Sequence, residues 1–259
     1  MQFVQGFHLL ATAVFVLGSA VVGLRLLWLA QRTRQAPELL LGGAIFGTAV
    51  SGYGLLIVAL IVRSTLESDV VPTSLVLLTA VGRISHDLGV SLFLVFVVSV
   101  FRPGAAWARA LAGAAMLLLW TGLIWGAAGG SFRVDNTGTP AWWCEYAIIW
   151  TYSLWLVFES SRYWILMRKR TALGLSDPLV TSRFLLWGCG SFFTFLATAI
   201  ASVPFVLLGN SERMVALAPT IYVATAIAGV CSISCSYLAF LPPAWFAARV
   251  RASVAAGEA

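Results

Sequence analysis

A chain of 259 residues that is 60% apolar, 10% charged and +0.93 in mean hydropathy does not have the composition of a soluble domain. Soluble domains carry about a quarter charged residues, and no water-soluble fold hides this much apolar surface. The formal charge of +6 comes from basic residues set in short clusters between apolar runs, a pattern that orients a chain in a bilayer and argues against nucleic acid as a partner.

The amino terminus, Met1 to His8, holds no Lys or Arg ahead of its apolar stretch. A cleavable signal needs a basic leading region, so the first run is expected to remain as an uncleaved span. A helix crosses the hydrocarbon with about 20 apolar residues. Seven segments meet that length, over 7–30, 37–62, 72–101, 105–128, 141–167, 178–208 and 215–241. The expected fold is all-α: a polytopic membrane protein whose residues 1–259 form a single seven-transmembrane-helix domain. Pro37, Pro72, Pro140 and Pro178 fall at helix starts, where a missing N–H costs nothing. The connection from Gly129 to Pro140 is the richest in turn formers. Pro204, inside the sixth segment, is expected to bend or break it.

Basic residues orient the bundle. Twelve of them fall on one side of the seven-span arrangement: Arg25, Arg32, Arg34, Arg102, Arg109, Arg162, Arg168, Lys169, Arg170, Arg183, Arg249 and Arg251. Three, Arg63, Arg133 and Arg213, fall on the other. Basic loops stay in the cytoplasm, which puts the amino end outside and the carboxyl end in the cytoplasm of a bacterial-type inner or plasma membrane.

The chain also echoes itself. Arg25–Arg34 followed by Pro37 resembles Arg162–Arg170 followed by Pro178, and Phe101-Arg-Pro-Gly-Ala-Ala-Trp107 resembles Phe240-Leu-Pro-Pro-Ala-Trp245. Two readings fit: a parallel 3+1+3 repeat with the fourth helix as connector, or the ordinary crowding of basic, Trp and Pro residues at cytoplasmic helix ends.

The residues that carry chemistry begin with Arg83, His86 and Asp87 in the third segment. Asp87 lies fifteen residues beyond Pro72, about 22 Å along a helix and near mid-membrane. Spacings of three and four put all three on one helix face. An isolated charge at that depth costs about 2.5–3.5 kcal/mol on insertion scales, so these side chains must face the bundle interior. One reading is a polar site that binds a ligand or relays a proton, with His86 titrating nearest neutral pH; the other is a self-satisfied Arg83–Asp87 structural pair. Glu145, Tyr152 and Glu159 recur every seven residues on the fifth segment and lie close to one face. Glu145 reads either as the rim of an outward-facing pocket, within reach of Arg83 if the helices adjoin, or as a solvated helix-end carboxylate. Trp142, Trp143, Tyr163 and Trp164 fit the interfacial belt, whereas Trp150, Tyr152 and Trp155 lie deeper and face either a pocket or lipid. Gly43, Gly47 and Ser51 form a small-residue stripe suited to close helix packing.

Absences narrow the chemistry. The only histidines are His8 and His86, so neither a bis-histidine haem nor a multi-histidine zinc hydrolase has its ligands. Cys144 alone lies near the expected outer surface, so no external disulfide is expected; Cys231 and Cys235 share a helix face and, with Cys189, read as packing residues, and no metal or other cofactor is expected. No P-loop, Gly-x-Ser-x-Gly elbow or Rossmann fingerprint occurs. The topology is similar to that of microbial rhodopsins and of sugar-efflux and PQ-loop transporters. The only lysine, Lys169, stands at the end of the fifth segment rather than in the last helix, and no Pro-Gln dipeptide occurs, so neither family's motif is present.

The expected function is therefore non-enzymatic and receptor-like: binding of a small lipophilic or amphipathic ligand in an outward-facing pocket of helices 3, 5, 6 and 7, without covalent retinal. Arg83, His86, Asp87 and Glu145 supply its polarity and Trp150, Tyr152 and Trp155 its apolar wall. Only eight residues follow Arg251, so signalling would need a cytoplasmic or membrane protein partner. The alternatives are a small-molecule or proton-coupled transporter and an accessory subunit of a membrane complex.

Overall fold

The computed structural model describes residues 2–66, 71–129, 138–209 and 211–255, and these residues are helical throughout apart from short connections. We number the helices α1 (Gln2–Thr33), α2 (Ala36–Ser64), α3 (Thr73–Phe101), α4 (Ala106–Ala128), α5 (Pro140–Ala172), α6 (Pro178–Leu208), α7 (Glu212–Phe240) and α8 (Ala244–Ala255). Most of the turn-rich connection, 130–137, lies outside the described residues and takes the Arg133 assignment with it.

Six helices, α1 to α4, α6 and α7, are long and apolar enough to cross a membrane, as a multi-pass membrane protein requires. Their outer faces carry bulky apolar side chains, among them Leu10, Leu17, Leu117 and Ile124, each at least 66% exposed. Water would penalise such a surface and lipid does not. The expectation of seven apolar spans is met in these six. Helix α5 has the length, with 33 residues, but not the hydropathy. Glu145 and a run of Trp and Tyr, whose rings are amphipathic, dilute its apolar stretch, and its last turns carry Arg168, Lys169 and Arg170.

Local chemistry sets the helix ends. Pro37 lies in the first turn of α2, Pro72 is the N-cap of α3, and Pro140 and Pro178 open α5 and α6. Helix α3 stops at Arg102 (φ −136°, ψ 48°) and α7 at Leu241 (φ −130°, ψ 53°). Each stop precedes a proline, which excludes the helical conformation from the residue before it. Helices α1 and α5 both run into a left-handed residue, Arg34 at φ 56° and Gly174 at φ 69°. Pro204 neither ends nor breaks α6, which continues to Leu208.

The chain divides into two compact units. The first contains residues 15–149 and 205–207 and is centred on α3, which packs against α2 along its length and against α4. Among the buried residues of α3, Leu75, Thr79 and Gly82, and then Val90, Leu94, Val97 and Phe101, recur every three to four positions, and Asp87, Gly89, Ser91 and Phe96 widen the buried face beyond its middle. The seam of α4 is narrower, with Ala108, Ala112, Ala115, Leu119, Gly122 and Gly126 alternating by four and three. That spacing and those small side chains suit close packing within a membrane.

The tightest approach is between α2 and α3. From Phe46 to Gly54, α2 widens into a π-helix, the ring size that recurs at functional sites. Ser51 Oγ donates there to the carbonyls of Phe46 and Gly47, at 3.3 and 3.4 Å. A Cβ on Gly47 would meet Gly89 Cα at 2.9 Å, one on Gly52 would meet His86 Cβ at 2.7 Å, and one on Gly89 would meet Thr48 N at 2.5 Å. Gly43 and Gly47 of the small-residue stripe thus pack against α3 of the same chain.

The second unit contains residues 1–14, 150–204 and 208–259. Hydroxyls knit it: Thr194 and Ser232 share a 2.9 Å hydrogen bond, Ser232 Oγ donates to the Gly190 carbonyl at 3.0 Å, and Thr171 meets Thr181 at 2.7 Å across the α5–α6 turn. Glu159 is fully buried and accepts from Trp155 Nε1 at 3.4 Å, with Arg162 3.6 Å from its other oxygen.

Gly89→Ala should lower the melting temperature in detergent, since overpacking costs about 1–3 kcal/mol. Gly113→Ala, where nothing lies within 4 Å, should leave it unchanged or raise it. Equal melting of the two variants would disprove the α2–α3 backbone contact.

Candidate functional site

Arg83, His86 and Asp87 stand on consecutive turns near the middle of α3, and α5 brings in Glu145 five residues after its start. Arg83 Nη1 donates to Glu145 Oε2 at 2.9 Å, joining residues 62 apart in sequence. His86 Nδ1 lies 3.2 Å from Asp87 Oδ1 and 3.4 Å from Glu145 Oε1. The side chains are mostly buried, from 6% exposed at Asp87 to 16% at Glu145. All four belong to one unit, so the cluster is complete within it.

The arrangement revises the i,i+4 pairing that spacing suggests. Arg83 reaches across to Glu145, while Asp87 is partnered by the imidazole beside it. Two carboxylates therefore converge on one imidazole nitrogen while a single guanidinium holds the far oxygen of Glu145. With a neutral imidazole the cluster carries one more negative charge than positive. In an apolar surrounding that excess is costly unless a proton on the imidazole or on a carboxyl, a cation, or a ligand's positive group offsets it.

Neighbouring residues hold the cluster in place. Ser91 Oγ donates to the Asp87 carbonyl at 2.8 Å and accepts from Trp120 Nε1 at 3.1 Å, fixing this turn of α3 against α4. Gly52 and Gly47 let the π-helical part of α2 lie directly on the backbone at His86 and Gly89. Tyr146, next to Glu145, packs against Trp142 with ring centroids 4.1 Å apart and planes tilted by 35°. Arg83 Nε is buried and has no hydrogen-bond partner among the described residues.

The sequence reading did not use Gly52, Gly89, Ser91 or Trp120. Gly52 and Gly89 were visible as glycines within apolar helices, but nothing in their spacing showed that Gly52 faces His86 or that Gly89 faces Gly47 and Thr48. Trp150, Tyr152 and Trp155 lie in the other unit. There Trp150 sits edge-on to Phe195 at 6.1 Å, and Tyr152 and Trp155 are buried at 7% and 8% exposure. The thiols Cys189, Cys231 and Cys235 are free, and they do not close to metal-binding distance among the described residues. His86, Asp87 and Glu145 do, a ligand set that the sequence reading did not expect because one member comes from a distant helix.

No protein-family model, curated protein or solved structure matches the chain, so the chemistry rests on these residues alone.

A double-mutant cycle on Arg83→Gln and Glu145→Gln should give a coupling energy above about 1 kcal/mol, as charges in direct contact do. The Arg83→Gln, Asp87→Asn cycle should give a smaller one. Thermal unfolding in detergent measures both, and the reverse order would exclude the cross-helix pair.

Proposed function

We propose that the chain is a receptor-like, non-enzymatic membrane protein with seven spans, α5 being the seventh. Its cluster at Arg83, His86, Asp87 and Glu145 binds the polar end of a small lipophilic or amphipathic ligand. The observation that carries this reading is the convergence of four ionisable side chains from α3 and α5 inside an otherwise apolar helical unit. A scaffold needs only one neutral pair there. This cluster has four members, one negative charge in excess while the imidazole is neutral, and a buried guanidinium N–H left for an acceptor.

The seventh span and the orientation are supported by counting basic residues. With α5 across the membrane, twelve face one side and three the other. Were α5 to lie outside the bilayer, everything after it would change sides. Arg162, Arg168, Lys169, Arg170, Arg183, Arg249 and Arg251 would join Arg63 and Arg133 opposite Arg25, Arg32, Arg34, Arg102, Arg109 and Arg213, a split of nine to six. The lopsided arrangement is the one that membrane insertion favours, with basic loops and the carboxyl end in the cytoplasm. Alkaline phosphatase fused after Gly129 should then be active, being outside the cytoplasm, and fused after Asp177 inactive. Activity at both positions would remove α5 as a span.

The matching ends of α1 with α5 and of α3 with α7 favour a second reading, a transporter built from parallel three-helix repeats. Lipid-soluble compounds that copurify with the protein, identified by mass spectrometry, separate the two. A receptor should retain a compound that Arg83→Gln and Glu145→Gln lose, with no flux in proteoliposomes. Proton flux lost on Asp87→Asn would establish the carrier instead.

A further inference from the structure

We propose that His86, Asp87 and Glu145 form a binding site for one divalent transition-metal ion of the zinc class. Among the described residues this is the one His/Cys/Asp/Glu trio whose ligand atoms all lie within 4.8 Å of one another. The two distances from the imidazole are informative. At 3.2 Å and 3.4 Å, the separations of His86 Nδ1 from Asp87 Oδ1 and Glu145 Oε1 are long for charge-assisted hydrogen bonds, which run near 2.7–2.9 Å. A tetrahedral ion that holds nitrogen and oxygen at about 2.0–2.2 Å spaces its ligands by roughly 3.3 Å. The two observed distances are those of two edges of that tetrahedron, and the third separation, between the carboxylate oxygens, is within 4.8 Å.

The donor set narrows the ion. Calcium takes six to eight oxygens, and magnesium keeps a near-octahedral oxygen shell, so a trio that includes an imidazole suits neither. One imidazole and two carboxylates leave a fourth position for water or a ligand atom, as in zinc sites with an open position. Arg83 serves as a positioning residue. Its hydrogen bond to Glu145 Oε2 turns Oε1 toward His86, the outer-shell role that metal-ligating carboxylates commonly need. With the imidazole neutral, the form that ligates a metal, the cluster's excess negative charge is of the sign that a cation offsets. The close seat of Gly52 against His86 fixes the backbone that carries two of the three ligands.

This inference goes beyond the receptor reading and does not depend on it, because an ion can occupy the trio whether or not an organic ligand binds. Metal bound without any organic ligand leaves it standing; an organic ligand retained without metal overturns it and spares the receptor reading.

The test uses the full chain in lipid nanodiscs, stripped with a chelator and titrated with Co2+ alone. One equivalent per chain should bind with the visible d–d bands of four-coordinate cobalt, and Zn2+ should bleach them. His86→Gln, Asp87→Asn and Glu145→Gln should each weaken binding by more than about tenfold. Cys189→Ser and Cys235→Ser should change nothing. His86→Cys supplies a signature independent of folding losses, since it should keep the ion and add a thiolate-to-cobalt charge-transfer band. The proposal is overturned if stoichiometric Co2+ gives no such bands. It also fails if the bands survive all three ligand substitutions, vanish in the thiol variants, or persist in His86→Cys without the new transition.

Discussion

An ionised side chain in the middle of an apolar helix must find its counter-charge inside the protein, and the first unit is organised around that requirement. Arg83 and Asp87 on α3 are too deep for ordinary solvation, and the guanidinium is satisfied by Glu145 of another helix. Breaking a buried pair of this kind costs about 3–5 kcal/mol, because the abandoned partner stays desolvated. The pair therefore fixes how the first turns of α5 lie on α3. His86 sits between the two carboxylates and completes a cluster that no single helix supplies.

The cluster needs a rigid support, and small residues provide it. Within a bilayer the hydrophobic effect does not drive helices together, so contact area and backbone proximity must do so. Gly47, Gly52 and Gly89 remove the side chains that would keep α2 from α3, and the π-helical segment brings the α2 backbone onto His86. Ser91 and Trp120 brace the next turn from α4. Charge and packing thus meet at one level of α3. The residues that set the geometry of the site are mostly those with no chemistry of their own.

The proposed receptor role and the metal site draw on the same imbalance: two carboxylates and an imidazole faced by one guanidinium. While the imidazole is neutral, the excess negative charge favours an occupant of opposite sign, whether a ligand's positive end or an ion. The second unit is built differently. Its hydroxyl pairs are neutral, and its buried Glu159 is flanked by Trp155 and Arg162 of its own helix.

The sequence by itself determined the all-α membrane class, the approximate bounds of the helices, and the presence of Arg83, His86 and Asp87 on one face of α3. Those follow from local properties: apolar run length, proline position and helical periodicity. It overstated the apolar character of α5, and of the bend or break expected at Pro204 the break does not occur, since α6 runs on to Leu208. Only the tertiary structure decided that Glu145, rather than Asp87, pairs with Arg83, and that Gly52 and Gly89 oppose the helix facing them. Partner choice across helices depends on which faces meet and at what height. Spacing along one helix carries no information about either.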